Sequence, residues 1–472
     1  MSFRANFGVT QVKRKQRRKL DCEEACLSIG TLPRSPVSAF VFYSKSLVLF
    51  VFSAFILLVN AGQAQTTIKK FDFGIGKVAG GYTAVTEKDV YTTEKGYGFE
   101  PGQNVNCLDR NDKNPLRSDF CASDRPFYFS AKVTEGNYKV TVTFGDKSEA
   151  TETVVKAELR RLMLEKIATE KGKYRTETFI VNVRNPNFPG GEVKLKDREK
   201  TMEWWAWDDK LTLEFNGARP TVAALEIEKI EQLPTIFLMG DSTVCDQPRE
   251  PYASWGQMLT RFFKPDAAVA NHAESGESLR SSASAKRLDK VLSLLKKGDF
   301  VLIQFAHNDE KEKGEGTGAF TTFKASLRQY ISAIRAKGGI PILITPMHRR
   351  TFDESGKITN SHGDYPEAIR RAAKEENAPL IDLTALSKDF YEALGKEKSA
   401  VAFKEGDGTH HNNYGAYELA KMIAGSIREQ KLALSKYLIK NLPEFDAKRP
   451  DSFEAFAVPA SPLITDIKPL GN

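Results

Sequence analysis

At 472 residues the chain exceeds one ordinary hydrophobic core, and with 41% hydrophobic and 28% charged residues and no repeats or low-complexity tracts it has a globular composition. The formal charge of +8 sits at the front: residues 1–64 hold nine Lys/Arg against three Asp/Glu, or +6, which leaves +2 for the rest. A fold built to hold nucleic acid spreads its basic excess over its surface, so that class is excluded.

In chain order, the basic run KRKQRRK (13–19) and Lys45 precede SLVLFVFSAFILLVNAGQAQ (46–65). A basic region, an apolar core and small residues before a cut describe a signal peptide, with Gly62 and Ala64 in the small-residue positions before cleavage. The apolar core from Leu47 to Val59 is short for about 30 Å of hydrocarbon, which favours cleavage over a retained anchor. The expectation is a leader over residues 1–64 and a secreted or periplasmic protein that touches a membrane only if the leader stays uncut. Beyond that cut lie Cys107, Cys121 and Cys245. The first two bracket LDRNDKNPLRSDF and are able to pair in an oxidising compartment, though spacing leaves open whether they do. Cys245, the odd one, reads as a packed thiol rather than a nucleophile.

Residues 66–230 carry a β pattern. NYKVTVTFGD (137–146), ETFIVNVRN (177–185), KLTLEFNG (210–217) and TVAALEIEKI (221–230) alternate with period two between Gly, Pro, Asn and Asp. An antiparallel sandwich is expected. Trp204, Trp205 and Trp207 in EWWAWDD suit either stacking on sugar rings or filling a sandwich core.

Residues 234–440 change rhythm. TIFLMG (235–240), AAVANHA (267–273), DFVLIQFAH (299–307), IPILITPM (340–347) and APLIDL (378–383) are short apolar runs. Between them lie amphipathic stretches such as SASAKRLDKVLSLLKK (282–297) and FKASLRQYISAIRAK (323–337). This predicts an α/β fold with a parallel sheet covered on both faces, whose sites form beyond the carboxyl ends of the strands. The Pro-rich residues 443–472 are expected as an extended tail over the surface.

Polar residues follow each run at once. Gly240-Asp241-Ser242 follows the first, Glu274-Ser275-Gly276 the second and His307-Asn308-Asp309 the third; GDGTHHNNYGAYELAKMI (406–423) places Asp407 and His410 just before a helix. A serine hydroxyl becomes a nucleophile when an imidazole takes its proton, and a carboxylate fixes the imidazole's tautomer. Ser242, His410 and Asp407 supply those groups, and the backbone N–H groups of Ser242 and Gly276 with the Asn308 amide supply an oxyanion hole. His307, beside Asn308, is a candidate for substrate binding. Singly, each is equally a turn or cap residue. No HExxH or Cys/His spacing accompanies His411, so no metal is expected, and the chain shows no G-x-S-x-G, P-loop or dinucleotide fingerprint, so no cofactor is expected either.

GDSTVCDQP with YASWGQML, then NHAESGESLRS, QFAHND and DGTHHNNYGA resemble in order the four blocks of the SGNH (GDSL) hydrolases, and more closely the rhamnogalacturonan acetylesterase family, over residues 234 to 430. RPFYFSAKVTEGNYKVTVTFGD resembles the galactose-binding-like, jelly-roll modules attached to carbohydrate enzymes. The resemblance implies a three-layer, flavodoxin-like SGNH domain behind an all-β sandwich that is a candidate carbohydrate-binding module, with its sugar binding left open. It implies Ser242 as nucleophile, Gly276 and Asn308 as oxyanion donors, Asp407 as orienter and His410 as base. One departure is Ala306, where the family has glycine, which is expected to tighten the backbone near Asn308. The activity implied is removal of acetyl groups from a plant cell-wall polysaccharide, pectic rhamnogalacturonan first. An esterase on other acyl substrates such as acetylated xylan and a non-catalytic polysaccharide-binding protein are the alternatives. The substrate's acetylated hydroxyl and the oligomeric state are not legible.

Overall fold

A computed structural model describes residues 68–470; the expected leader lies outside the described residues. The first half is a sandwich of two five-stranded sheets. One orders the strands Tyr174–Val183, Gly136–Gly145, Ala224–Ile230, Ile68–Phe73 and Thr83–Val85; the other orders Tyr97–Phe99, Phe127–Lys132, Lys210–Arg219, Thr151–Ala157 and Arg161–Thr169. The period-two pattern explains the packing: Val140, Val142 and Phe144 all point into the core, where Phe71, Phe73, Phe99 and Phe129 meet them with mostly edge-on rings. The pairing is antiparallel except that Ile68–Phe73 runs parallel to Thr83–Val85. Cys107 and Cys121 face each other on neighbouring strands of a small third sheet and form a disulfide.

The tryptophans do not fill the sandwich core. Trp207 is buried in a satellite cluster with Leu159, Val193 and Ala206, its ring 4.5 Å from the Arg184 guanidinium, whereas Trp204 is 44% exposed with Lys210 Nζ 4.7 Å above it. A flat, polar-edged ring gains from a cation as well as from apolar neighbours, which period-two patterning does not encode.

The second half is a parallel sheet of five strands in the order Ala268–Asn271, Thr235–Gly240, Phe300–Gln304, Ile340–Ile344, Leu380–Ile381. Alternate residues of one strand enter different cores. Ile236, Leu238, Leu302 and Ile342 join the helices Trp255–Leu259, Leu383–Leu394 and Asn413–Glu429, while Phe237, Met239, Val301 and Leu343 join Arg287–Leu294, Lys324–Ala336 and Tyr365–Glu375. That is the expected three-layer arrangement. The helix Lys324–Ala336 shows the helical period directly, burying Leu327, Tyr330, Ile331 and Ile334. Among the described residues no helix is long and apolar enough to cross a membrane.

The sandwich and the parallel sheet share one compact unit, joined by buried polar contacts. Gln257 Nε2 donates to Leu159 O at 2.7 Å, Thr260 Oγ1 to Leu162 O at 2.7 Å, and Arg160 Nη1 to Tyr252 O at 2.8 Å. Arg161 and Arg184 both reach Asp246, at 3.4 and 3.5 Å. The tail after Leu442 is extended apart from the short turn Phe453–Ala455, with Ser461 buried.

Candidate active site

The strand Thr235–Gly240 is wholly buried and delivers the chain to a tight turn. Asp241 builds it. Its carbonyl accepts from Val244 N and Cys245 N, each at 3.0 Å, and its Oδ1 accepts from Thr243 N at 2.9 Å and Thr243 Oγ1 at 2.7 Å. Neighbouring strands brace the turn. Asn271 Nδ2, at the end of the second strand, donates to Val244 O and Asp246 Oδ1, both at 2.8 Å; Gln304 Nε2, at the end of the third, donates to Thr243 Oγ1 at 2.7 Å. Gly256 lets the next helix lie against the turn, since a Cβ there would sit 2.0 Å from Val244 O.

Ser242, 3% exposed, stands at this turn with its Oγ 3.0 Å from His410 Nε2. His410 Nδ1 lies 2.8 Å from Asp407 Oδ2, and Asp407 Oδ1 accepts from the backbone of Thr409 at 2.8 Å and of His410 at 3.1 Å. A carboxylate only accepts, so Nδ1 carries the proton and Nε2 turns its lone pair toward the serine. Burial raises the Asp407 carboxyl, but the His410 hydrogen bond and charge and the two backbone donors outweigh it and hold the group well below the usual carboxylate range. Asp407 therefore stays anionic beside the imidazole. Asn412 fixes the following helix by accepting from Gly415 N at 3.1 Å.

The other two loops close on the same place. Gly276 takes a backbone φ of +78°, in the region glycine favours, and Asn308 Nδ2 donates to Glu277 O at 3.0 Å, tying the third loop to the second. Gln247 Nε2 ties the second to the first, donating to Ser242 O at 2.7 Å and reaching Ser275 Oγ at 3.4 Å. Ala306 carries a φ of +134°, a conformation glycine tolerates and alanine enters under strain.

His307 is 1% exposed, with Nδ1 3.3 Å from Asp241 Oδ2 and its ring packed 4.5 Å from that of His362. Burial brings it down to about 4, so it is neutral near pH 7. Cys245 is buried with Sγ 3.4 Å from Ser275 Oγ, and burial followed by the charges of Glu274 and Glu203 pushes its thiol well up, away from nucleophilic use. Among the described residues, Glu199, Glu203 and Glu274 bring carboxylate oxygens within 4.8 Å of one another, close enough to hold a metal ion. Arg287 already meets Glu199 at 2.6 Å and Arg198 meets Glu203, while burial and then the neighbouring carboxylates push Glu274 well up toward its neutral form. Protons and guanidinium groups thus already balance the charge there.

The residues that motif reasoning missed are the braces: Asn271, Gln304, Gln247 and Gly256. Gln304 had a signal, an amide at the end of an otherwise apolar strand; Gln247 had none.

A hydroxyl, an imidazole and a carboxylate in one hydrogen-bonded line suit acyl transfer. The chain matches the GDSL-like lipase/acylhydrolase family over residues 238–416, and over residues 69–186 the galactose-binding-like domain of β-agarase and YXIM-esterase-like proteins. It is 39% identical over 219 residues to the rhamnogalacturonan acetylesterase RhgT of Bacillus subtilis, covering 43% of this chain and 94% of that relative. The chain belongs to the GDSL-like lipase/acylhydrolase family. This acylhydrolase is also 30% identical over 388 residues to the uncharacterized esterase YxiM of Bacillus subtilis, covering 79% of this chain and 94% of the relative. The X-ray structure of the Bacillus subtilis YXIM protein aligns with 28% identity over 78% of this chain and 99% of that one, with a TM-score of 0.43. The acylhydrolase is thus an enzyme that cleaves carboxylic esters, with a galactose-binding-like domain in front.

Proposed function

We propose that this acylhydrolase removes O-acetyl groups from an acetylated plant cell-wall polysaccharide, rhamnogalacturonan in the first place, outside the cytoplasm. The observation that carries the mechanism is the 3.0 Å approach of Ser242 Oγ to His410 Nε2. Ser242 attacks the acetyl carbonyl as His410 takes its proton, and Asp407 holds the imidazole and stabilises the imidazolium. The developing oxyanion is met by the N–H groups of Ser242 and Gly276 and by Asn308 Nδ2. His410 then protonates the sugar oxygen as it leaves. Water, deprotonated by the same imidazole, releases acetate from the acyl-enzyme.

The name carried by the RhgT relative supports the acetyl and rhamnogalacturonan assignments. The Cys107–Cys121 disulfide supports export, because such bonds persist in oxidising compartments. The test is acetate release by the purified enzyme from acetylated rhamnogalacturonan and acetylated xylan. Faster release from the pectic polymer is expected. Preference for xylan would reassign the polymer, preference for long-chain esters would remove the acetyl reading, and binding without turnover would remove the enzyme reading of this site.

A further inference from the structure

The peptide between Ser275 and Gly276 is trans, so its carbonyl and its N–H point in opposite directions. That N–H, on Gly276, is the second backbone donor of the oxyanion hole proposed above. Whatever holds the Ser275 carbonyl therefore also aims the Gly276 N–H. Lys196 holds it: its Nζ donates to Ser275 O. The same ammonium group meets Glu277 Oε1 at 2.9 Å, and the Glu277 side chain is buried. Lys196 belongs to the sandwich half, at the start of the short helix Asp197–Thr201.

The lysine's backbone is fixed as well. Its N–H donates to Glu199 Oε2 at 2.8 Å, and the Glu199 carboxylate accepts from the Arg287 guanidinium at 3.0 and 2.6 Å. Such a two-point pair sets direction as well as distance. Arg287 opens the helix Arg287–Leu294 that packs on the parallel sheet, and just before it Ala285 O accepts from Lys194 N at 3.0 Å. Two residues beyond Lys196, Arg198 Nη2 donates to Gln247 Oε1 at 2.8 Å, and Gln247 Nε2 donates in turn to Ser242 O at 2.7 Å. One stretch of the sandwich half thus reaches both loops that carry the backbone donors. The two loops differ in what secures them. The carbonyl of the Asp241–Ser242 peptide accepts from Val244 N and Cys245 N within its own turn, whereas that of the Ser275–Gly276 peptide accepts from a charged group 79 positions away.

We propose that Lys196 is a positioning residue for the oxyanion hole: through Ser275 O it orients the Ser275–Gly276 peptide and polarises its N–H, so that the sandwich half completes the site for acyl transfer. The inference rests on the Ser242 mechanism above, with the Gly276 N–H as a donor. An ammonium group on a carbonyl draws charge through the peptide and strengthens the hydrogen bond that its N–H donates. A donor aimed before the reaction begins stabilises the oxyanion without reorganising at the transition state. Lys196 acts one peptide away from the reacting atoms, and its effect falls on kcat rather than on KM.

The test measures hydrolysis of p-nitrophenyl acetate and inhibition by methylboronic acid, whose boron takes Ser242 Oγ as a fourth ligand and mimics the tetrahedral anion. Active sites are counted with an organophosphate, so that misfolded protein drops out of kcat. Lys196→Met is expected to lower kcat about tenfold, short of the roughly 10²–10³ of a lost donor, with KM little changed. It should weaken boronate inhibition by a similar factor, and Lys196→Arg should recover most of both. Should Lys196→Met fail to fold, Lys196→Gln, which also removes the charge, carries the same comparison. An unchanged kcat, a loss confined to KM, or a fall in kcat with unchanged boronate inhibition overturns the role of Lys196. Asn308→Ala separates that result from failure of the mechanism. If it too leaves kcat and boronate inhibition unchanged, the oxyanion hole itself is wrong; if it weakens both while Lys196→Met does not, only the lysine's role falls.

Discussion

Ser242 Oγ and His410 Nε2 stand 3.0 Å apart although 168 positions separate the residues in the chain. Neither side chain makes that distance by itself. The serine is set by a turn that Asp241, Asn271 and Gln304 hold from three strand ends, and the histidine by the loop that Asp407 closes. Ser242→Ala should therefore cut ester hydrolysis by about 10⁴-fold or more. The thermal unfolding midpoint should barely move. Hydrolysis of a p-nitrophenyl ester together with a melting curve checks both; retained activity would exclude Ser242 as nucleophile.

Asn308→Ala removes an amide donor that is already held toward the second loop by Glu277 O. A lost oxyanion donor lowers kcat by on the order of 10²–10³, with KM little changed. Steady-state kinetics on an acetylated substrate separate this from a binding defect, which would appear in KM instead.

Arg160 and Glu250 form a buried pair at 2.5 Å that joins the sandwich to the loop beyond the serine turn. Burial raises the Glu250 carboxyl, and Arg160 and Lys156 more than compensate, keeping it ionised. Arg160→Met strands that charge and should destabilise the protein by roughly 3 kcal/mol. Thermal unfolding measures the loss, and a midpoint equal to wild type would show that the pair does not hold the two halves together.

Ala306, with its φ of +134° at a fully buried position, makes a ranking testable. Ala306→Gly relieves strain but leaves a small void and a freer unfolded chain, so stability should stay within about 1 kcal/mol of wild type. Ala306→Val asks a β-branched residue to take a positive φ and should be much less stable, with reduced activity because Asn308 lies two residues on. A valine variant as stable as the glycine variant would show that the backbone there is not strained.

His411 sits buried against Phe403, with Nε2 2.7 Å from Tyr391 Oη. Burial, with the neighbouring His410 and His307 adding to it, brings it from 6.5 down to about 3. Between those values the unfolded chain binds a proton that the folded protein refuses, so stability is lost as pH falls from 6.5 toward 3, at about 1.4 kcal/mol per pH unit for that proton. His411→Asn should show a shallower decline over that window than wild type. Parallel melting curves for the two proteins as pH is lowered would contradict the assignment.

Much of this was legible before any coordinates. Apolar runs of strand length separated by amphipathic stretches specify a parallel sheet, and a parallel sheet turns all its strand ends to one edge. Ser242, Gly276 and Asn308 follow three such runs directly, so the fold class alone carries them to one place, and Asp407 with His410 completes the set from a loop before the last long helix. The braces were hidden for a physical reason. Asn271 and Arg160 work by donating to backbone carbonyls of other segments and Gln247 to one in its own loop, and a carbonyl has no side-chain signature to mark it as a partner. The tail reads as a Pro-rich surface segment, yet buried Ser461 anchors it and Lys468 arrives beside Asp407. Residue types and their spacing thus determined which chemistry is present; which polar groups hold it was decided by packing, because hydrogen bonds and ion pairs form between neighbours in space whatever their separation along the chain.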